Sequence, residues 1–467
     1  MKYEFKRSVY YDTIKSIKQA KVTFLLGPRK CGKTVCMKQI CDTLDNTVYM
    51  DVKSNLKTDS QKIDFIKLVV KDIEDDKDVI YLIDEATYLF IPDKDIAEIA
   101  NAFSDFNNQN TKIVFSGSQS RALDFWGHLA FAGNAAFVNC DFLAYPEWLA
   151  YKGSSEVSEK TYVEFISNTR EFYSDFNSIR EYLQGCLDET VISNRKAIEY
   201  VVDNCDFDLG VEALLDVLYG TLVTLHNRVA YKTFADAGLF ERTLISYFSK
   251  EVLAINNEEL AKRIDDVLGR RYNNFKEMTG HDCLTALQFL SNCGLISITY
   301  QSDELKVDPY VATKLLKESS ELYLKPNVFD KFNITVNYPM FYLELVKSVL
   351  QNDMPDEIPR SLLGSIVECH VRSLLPTTGC FEYRTRDGIE IDYVDISGLA
   401  IEISVANKHN KDTNFDKLPN SYRKILLTKD NTDTVGGVER IPYYQFIFDK
   451  SVGRDSDNSL ISKMNLF

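Results

Sequence analysis

The sequence predicts an α/β protein whose first part is a parallel sheet with helices on both faces. Short apolar runs that suit buried strands alternate there with segments of helical spacing. A glycine-rich octapeptide joins the first of these runs, Val22–Leu26, to a helical segment that begins near Lys33. A second apolar run, 79–83, ends in two carboxylates, and a third, 112–115, ends in small polar residues. Polar groups at the carboxyl ends of parallel strands lie at the edge where such sheets bind ligands.

The octapeptide has the G-x-x-x-x-G-K-T spacing of a phosphate-binding loop (P-loop), and its strand–loop–helix context supports that interpretation. Its residues are Gly27, Pro28, Arg29, Lys30, Cys31, Gly32, Lys33 and Thr34. Glycines let backbone N–H groups point at a phosphate, and the following helix adds the positive end of its dipole. We expect Lys33 to contact β- and γ-phosphate oxygens and Thr34 to contact Mg²⁺. The alternative is a glycine turn that matches the pattern by chance.

The acidic pair Asp84-Glu85 ends the second apolar run and supplies the other half of a nucleotide site. A hard cation prefers oxygen ligands, so Asp84 is expected to hold Mg²⁺ directly or through water. Glu85 is the candidate general base that orients and polarises the attacking water. The alternative is an acidic cap on the next helix.

The third apolar run leads into Ser116-Gly117-Ser118. Small polar side chains at this strand end suit a sensor that lies between a γ-phosphate and the attacking water, and Ser116 and Ser118 are the candidates. A serine–glycine turn without nucleotide contact is the alternative.

Length, charge and cysteine use exclude several classes of protein. A chain of 467 residues is too long for one hydrophobic core, so two to four domains are expected. No apolar stretch has the length of a membrane span and the N-terminus lacks a signal-peptide core, which predicts a cytoplasmic protein. A net charge of −15 argues against binding nucleic acid over the whole surface. The 10 cysteines contain no C-x-x-C pair and the 5 histidines are isolated, so Mg²⁺ is the only metal implied.

Four segments are predicted along the chain. Residues 1–150 form the P-loop NTPase sheet, 151–255 a helical lid, 256–334 a winged-helix-like domain with a linker, and 335–467 a second α/β domain. The winged-helix prediction depends on helices at 258–268 and 281–292 and on a wing strand at 295–300. Because residues 281–292 contain no Lys or Arg, a structural role is favoured there over DNA reading.

The last segment contains carboxylates that could form a second active site. Glu368 lies on a predicted helix, and Asp392 and Glu402 lie on neighbouring predicted strands. Such an arrangement can bind Mg²⁺ and activate water against a phosphodiester. Nuclease sites of this kind usually have a lysine two residues after the second carboxylate, but here Ser404 occupies that position, with Lys408 and Lys411 as substitutes. An inactive nuclease fold, or a sheet with exposed acidic residues, is the alternative.

Taken together, the motifs resemble prokaryotic AAA+-like ATPases of the AAA-14 type, which carry a C-terminal DUF4143-like domain of the restriction-endonuclease, or PD-(D/E)xK, type. The matching pieces are residues 26–34, 82–86, 115–118, 140–148, 364–368, 383–384, 388–392 and 401–403. The resemblance implies ATP as the nucleotide and a winged-helix element between lid and tail.

Two positions depart from the family pattern. Family members usually carry Gly-Arg where this chain has Gly133-Asn134, which removes a candidate arginine finger and leaves Arg121 as a weak substitute. Ser404 replaces the lysine expected in the tail.

The leading hypothesis is therefore a Mg²⁺-dependent ATPase whose hydrolysis drives a conformational change in the nuclease-like tail, with DNA-related or defence functions. An ATP-gated DNA nuclease is the second hypothesis. The third is a slow nucleotide switch that binds a protein or nucleic-acid partner. An oligomer is compatible with all three.

Overall fold

A computed structural model describes most of the two ends of the chain and little of its middle. The described residues are 4–89, 99–102, 110–118, 120–131, 134–173, 177–192, 210–215, 217–218, 286–287, 289–291, 293–302, 305, 332–349, 358, 360–376, 379–385, 389–405 and 412–452. The chain divides into two compact units. The N-terminal unit comprises residues 1–147, 172–177 and 181–207, and the C-terminal unit comprises 148–171, 178–180 and 208–467.

The N-terminal unit is built on a parallel sheet, as predicted. Among the described residues it has five strands in the order β2-β3-β4-β1-β5. They are β1 (Val22–Leu26), β2 (Thr47–Asp51), β3 (Ile80–Asp84), β4 (Lys112–Ser116) and β5 (Ala135–Asn139). Every pairing is parallel, so all the strands end at the same edge of the sheet. Residue Asp51 is level with Asp84 at that edge.

Helices follow the strands in alternation. They are α1 (Ser8–Gln19), α2 (Lys33–Cys41), α3 (Val52–Asn55), α4 (Asp59–Glu74) and α5 (Ser120–Phe131). Helix α4 starts at a capping box in which Thr58 and Gln61 bond each other's backbone N–H groups. Its apolar residues Phe65, Ile66 and Val69 recur at helical spacing and are buried against the sheet.

The core of this sheet is centred on Phe24, which is fully buried. Its ring stacks on Phe115 at 5.2 Å and on Phe137 at 5.5 Å between centroids. Since β1 lies between β4 and β5, these rings fix the central strand that leads into the octapeptide. Aromatic pairs of this kind stabilise a core beyond their area alone.

The C-terminal unit contains a mixed sheet. Within the described residues its strand order is β12-β13-β11-β10-β9-β8-β6-β7. The strands are β6 (Ile296–Ser302), β7 (Phe332–Val336), β8 (Cys380–Arg384), β9 (Glu390–Asp395), β10 (Leu399–Ile403), β11 (Arg423–Thr428), β12 (Thr434–Val435) and β13 (Val438–Pro442). Strands β8, β9 and β10 are antiparallel neighbours, and β11 returns parallel to β10.

Two predicted boundaries fall within elements or sheets of the structure. The strand predicted as a wing is present as β6, but it pairs with β8, so the boundary at 334/335 runs through one continuous sheet. A hydrophobic strand pattern does not reveal which strand it will pair with. The predicted lid is also divided, because helix α7 (Glu159–Phe172) falls almost entirely in the C-terminal unit and α8 (Ile179–Ile192) almost entirely in the N-terminal unit. The helices predicted at 258–268 and most of 281–292 lie outside the described residues.

Helices α9 (Pro339–Val349) and α10 (Arg360–Leu374) belong to the C-terminal unit, as do helical residues 443–452. Helix α6 (Tyr145–Lys152) contains the boundary between the two units. Arg170 of α7 forms an ion pair of 2.9 Å with Glu344 of α9. Among the described residues, no helix is both long and apolar enough to cross a membrane.

Candidate functional site

The octapeptide connects β1 to α2 and depends on two glycines with positive φ. Gly27 has φ +149°, and a Cβ there would lie 1.9 Å from the carbonyl oxygen of Cys140. Gly32 has φ +110° and is the N-cap of α2. A side chain is excluded at Gly27 by contact and is strained at Gly32 by conformation. The loop therefore has the tight backbone that brings N–H groups close to an anion.

Lys33 is folded back onto the loop that precedes it. Its Nζ donates to the carbonyl oxygens of Gly27 at 2.7 Å and Pro28 at 2.6 Å. It also lies 3.7 Å from the sulfur of Cys31. Lys33 is only 6% exposed. Its ammonium group therefore lies inside the loop, where its present hydrogen-bond acceptors are neutral carbonyl oxygens.

Thr34 and Asp84, the two predicted metal ligands, are in contact. The Thr34 hydroxyl donates to Asp84 Oδ2 at 2.7 Å although the residues are 50 positions apart. The sequence did not single out Tyr49, at the end of β2, whose hydroxyl donates to the same oxygen at 3.0 Å. Burial, followed by the charge of Asp84, raises the pKa of Tyr49, so this hydroxyl remains a donor at neutral pH. A carboxylate and a hydroxyl side by side form an all-oxygen donor set that fits Mg²⁺.

The candidate general base contacts one of the two candidate sensors. The hydroxyl of Ser118 donates to Glu85 Oε2 at 3.0 Å. Glu85 has a left-handed backbone with φ +50°, which turns the chain sharply at the end of β3. The Ser116 hydroxyl is buried at the end of β4 and has no hydrogen-bond partner within the described part of the chain. Of the two serines, only Ser118 is in contact with Glu85 in this structure.

Two residues that sequence reasoning missed hold the octapeptide in place. Ser120, the first residue of α5, accepts from the N–H of Gly27 at 2.7 Å and donates to its carbonyl oxygen at 2.5 Å. Arg7 donates to the carbonyl oxygens of Cys31 at 2.8 Å and Asp141 at 2.9 Å. Both contacts span large sequence separations, so no local pattern could have indicated them.

Arg7 is itself fixed by a carboxylate. Its guanidinium makes two bonds, of 2.8 and 3.0 Å, to Glu147 Oε2. Burial lowers the pKa of Arg7, but the charge of Glu147, the hydrogen bond to it and the nearby Tyr173 and Cys140 together raise the pKa well above its ordinary value. Burial raises the pKa of Glu147, while Arg7 lowers it below its usual range. This buried ion pair ties the N-terminal segment and the start of α6 to the loop.

Arg29, the third residue of the octapeptide, points to α8. Its Nη1 donates to the carbonyl oxygen of Gly185 at 3.3 Å. A Cβ at Gly185 would lie 2.9 Å from the guanidinium carbon, so a side chain at this position would displace the end of the arginine.

Two of the three carboxylates proposed as a nuclease site are bonded to other groups of the chain. Glu368 Oε1 pairs with Arg372 at 3.1 Å, and the same Arg372 nitrogen pairs with Glu382 Oε2 at 3.1 Å. Asp392 Oδ2 accepts from the backbone N–H of Ile403 at 2.7 Å. Within the described ranges, no group of three or more His, Cys, Asp and Glu side chains is placed to hold a metal ion.

Arg372 thus lies in the centre of the tail's acidic cluster. Burial lowers the pKa of Arg372, but the charges of Glu368, Glu382 and Asp392 raise it above its ordinary value. Glu402 and Ser404 are buried on or next to β10. Lys408 and Lys411 lie outside the described residues, as does the side chain of Arg121, while Asn134 is exposed just before β5.

A family model matches the N-terminal part of the chain, where the octapeptide and the acidic pair lie. Residues 19–148 match the model of the AAA domain family AAA_14. This match supports the AAA-type core predicted for the first part of the chain. The DUF4143-like identity of the tail stays a prediction, and no curated protein matches the chain.

Several solved structures resemble the chain at low identity. ORC2 of Aeropyrum pernix, in ADPNP–ADP complexes, is 13% identical, with TM-score 0.31 over 68% of this chain and 92% of that one. AMPPCP-bound DnaA of Aquifex aeolicus is 13% identical, with TM-score 0.25 over 70% and 92%. A STAND-class signal-transduction ATPase with a tetratricopeptide sensor from Pyrococcus horikoshii is 14% identical, with TM-score 0.21 over 78% and 55%.

Proposed function

We propose that the N-terminal unit is a Mg²⁺-dependent ATPase. The observation that carries this proposal is the 2.7 Å contact between Thr34 and Asp84, which joins the end of the loop to the end of β3. ATP and Mg²⁺, when bound, supply the phosphoanhydride and the cation that neutralises its charge. Thr34 and Asp84 would hold the metal, and the loop N–H groups the phosphates.

Lys33 can change partners without leaving its place. Its bonds to the carbonyl oxygens of Gly27 and Pro28 are to neutral acceptors. Hydrogen bonds from a charged donor to a charged acceptor are about twice as strong as neutral ones, so phosphate oxygens compete well for this ammonium group. The loop therefore keeps the cation buried beside neutral acceptors that an anionic ligand can replace.

Glu85 would act as the general base, and Ser118 would orient it. The 3.0 Å hydrogen bond from Ser118 holds one carboxylate oxygen and leaves the other for water. Because Ser118 lies just beyond the end of β4, it is also placed to respond to the γ-phosphate. We assign the sensor role to Ser118 and regard Ser116 as the weaker candidate.

For the tail, we propose a nuclease-like fold that responds to ATP turnover without cutting nucleic acid. Support comes from the order of elements: helix α10, three antiparallel strands β8–β10 and a parallel strand β11. The nuclease hypothesis is disfavoured by Arg372, whose guanidinium already balances the charges of Glu368 and Glu382. That the tail recognises a partner, either a protein or a nucleic acid, is inferred from the resemblance alone.

Steady-state ATP hydrolysis by the full chain tests the proposal. Lys33→Ala and Glu85→Gln should each lower kcat by about 10²–10³-fold, because one removes a phosphate contact and the other the base. The matched controls Lys67→Ala and Glu74→Gln, on the exposed face of α4, should keep the wild-type rate. Turnover that is equal in all five proteins, or that persists in EDTA, would show that this site does not hydrolyse ATP.

A further inference from the structure

Two thiols lie against the phosphate loop and have no part in the chemistry proposed above. Cys31 is the fifth residue of the loop, and Cys140 follows β5. They are 1% and 0% exposed, respectively. The sulfur of Cys140 donates to the carbonyl oxygen of Cys31 at 3.7 Å. Both cysteines also lie beside Gly27, where a Cβ would be 1.9 Å from the Cys140 carbonyl oxygen and 3.1 Å from the Cys31 sulfur. The backbone N–H of Cys140 donates to the carbonyl oxygen of Leu26 at 2.6 Å, which fixes the backbone of Cys140 beside the loop.

The charges around this pair favour a thiolate on Cys31. Burial raises the pKa of Cys31, but the hydrogen bond from Cys140 and the charges of Lys33 and Arg7 bring it down to about 6, against a smaller opposing effect of Asp141. The pKa of Cys140 is raised by its hydrogen bond to Cys31 and by burial. A thiolate is the nucleophilic form of cysteine, and here a second thiol is hydrogen-bonded to the backbone of the same residue.

We propose that Cys31 and Cys140 form a reversible disulfide, with a peroxide as oxidant, that lowers the affinity of the loop for ATP. The thiolate of Cys31 attacks one peroxide oxygen, the O–O bond breaks, and protonation of the leaving oxygen gives water and a sulfenic acid. The sulfur of Cys140 then attacks the sulfenic sulfur, loses its proton and releases a second water. Two thiols thereby lose two electrons, and H₂O₂ gains them. A dithiol reductant reverses the step.

The packing explains why a disulfide would disturb phosphate binding. The carbonyl oxygen of Cys140 already fills the space where a Cβ of Gly27 would lie. The backbone beside Cys140 therefore cannot shift toward the loop at that point. The Cys140 sulfur is hydrogen-bonded to the Cys31 carbonyl oxygen, so bringing it to covalent distance from the Cys31 sulfur must instead move the loop around Cys31. Displacement of about 1 Å in a positioning group costs up to about 10²-fold in function, so we expect ATP affinity to fall at least about tenfold.

The burial of Cys31 leads to a second expectation, which concerns the rate of oxidation. Because Cys31 is 1% exposed, peroxide reaches it only when the loop opens. Bound ATP closes the loop and draws Lys33 toward phosphate, so nucleotide should slow the oxidation.

The experiment uses the full chain, oxidised by H₂O₂ with and without MgATP. Non-reducing peptide mapping should show a Cys31–Cys140 link whose formation ATP slows. ATP titration should show at least about tenfold weaker binding that dithiothreitol restores. Cys140→Ser should bind ATP normally and resist the loss. Cys36→Ser is the matched control. Burial raises the pKa of the Cys36 thiol to about 12, so this thiol should not react with peroxide. The variant keeps Cys31 and Cys140 and should lose ATP affinity on oxidation as the wild type does.

This inference depends on the proposed ATPase, and the two can fail separately. Reduced wild type that does not bind ATP would contradict the ATPase alone, because the peptide map still tests the thiol pair. Absence of the Cys31–Cys140 link would overturn the inference, and so would linked protein with unchanged ATP affinity. If Cys140→Ser fails to fold, the peptide map of the wild type and the recovery of its ATP affinity by reductant still decide the question.

Discussion

The phosphate loop and the tail's acidic cluster each bury one cation, and they differ in what surrounds it. Lys33 is 6% exposed and Arg372 is 5% exposed, so burial is equal. Lys33 donates to neutral carbonyl oxygens, whereas Arg372 pairs with Glu368 and Glu382. A buried cation without a carboxylate suits a site that receives an anion. A buried cation that carboxylates already neutralise is complete without a ligand.

The difference shows why carboxylates alone are weak evidence for a metal site. In the sequence, Glu368 and Asp392 suggested metal ligands, and so did Asp84. Asp84 accepts from the hydroxyls of Thr34 and Tyr49. These donors are neutral, so they do not cancel the charge of the carboxylate, which can still attract a cation. In the tail, Arg372 supplies the positive charge from within the chain. The identity of the neighbouring group decides which function a carboxylate can have.

The largest expected effect tests the claim that the tail cluster is complete. Arg372→Met should destabilise the C-terminal unit by about 3–5 kcal/mol, because it removes the arginine charge that faces the buried Glu382 and the half-buried Glu368. Hydrogen exchange of the β8–β10 amides in the full chain measures this. The control is Arg423→Met, which breaks a more exposed pair with Glu439 and should cost at most about 1 kcal/mol. Equal losses of stability in the two variants would contradict the claim that the tail cluster depends on the charge of Arg372.

A smaller effect tests the metal side of the comparison. Tyr49→Phe removes a hydrogen bond to Asp84 and should raise the Mg²⁺ concentration for half-maximal ATPase activity by about tenfold, with kcat at saturating Mg²⁺ nearly unchanged. Tyr81→Phe is the matched control, since it removes a 2.7 Å bond between another tyrosine of the sheet and Asp72. A drop in kcat that excess Mg²⁺ cannot recover would contradict a role for Tyr49 in positioning the metal ligand.

The smallest effect distinguishes the two sensor candidates. Ser118→Ala should lower kcat about three- to tenfold, because Glu85 loses one hydrogen bond of about 1 kcal/mol. Ser116→Ala should change kcat little, since its hydroxyl bonds no group in the described residues. Parallel ATPase assays measure both, and the reverse pattern would move the sensor role to Ser116.

Much of the nucleotide site could be predicted because its pieces are local in sequence. The run Val22–Leu26 is β1, and Asp84 ends β3. The residues that hold these pieces could not be predicted in the same way. Ser120 reaches Gly27 across 93 positions and Arg7 reaches Glu147 across 140, so only folding brings them into contact. Neither residue type forms a motif by itself.

The tail was harder to predict for a related reason. Its carboxylates stand out in the sequence, but Arg372 is an ordinary helix residue there, four positions after Glu368. Its counter-ion Glu382 lies on another element, β8. The strand at 296–302 was recognised as a strand, yet its partners β7 and β8 are distant in the chain. Strand patterns predict which face is buried and leave the pairing open.

The left-handed backbone of Glu85 has a consequence for protein engineering. A non-glycine residue with φ +50° is held at a cost of about 1–2 kcal/mol that glycine would not bear. A screen for thermal stability should therefore favour Glu85→Gly, and the same change would delete the proposed base. Stabilised variants of this chain should be sequenced at position 85 before they are taken as active enzymes, because robustness and turnover compete for that one residue.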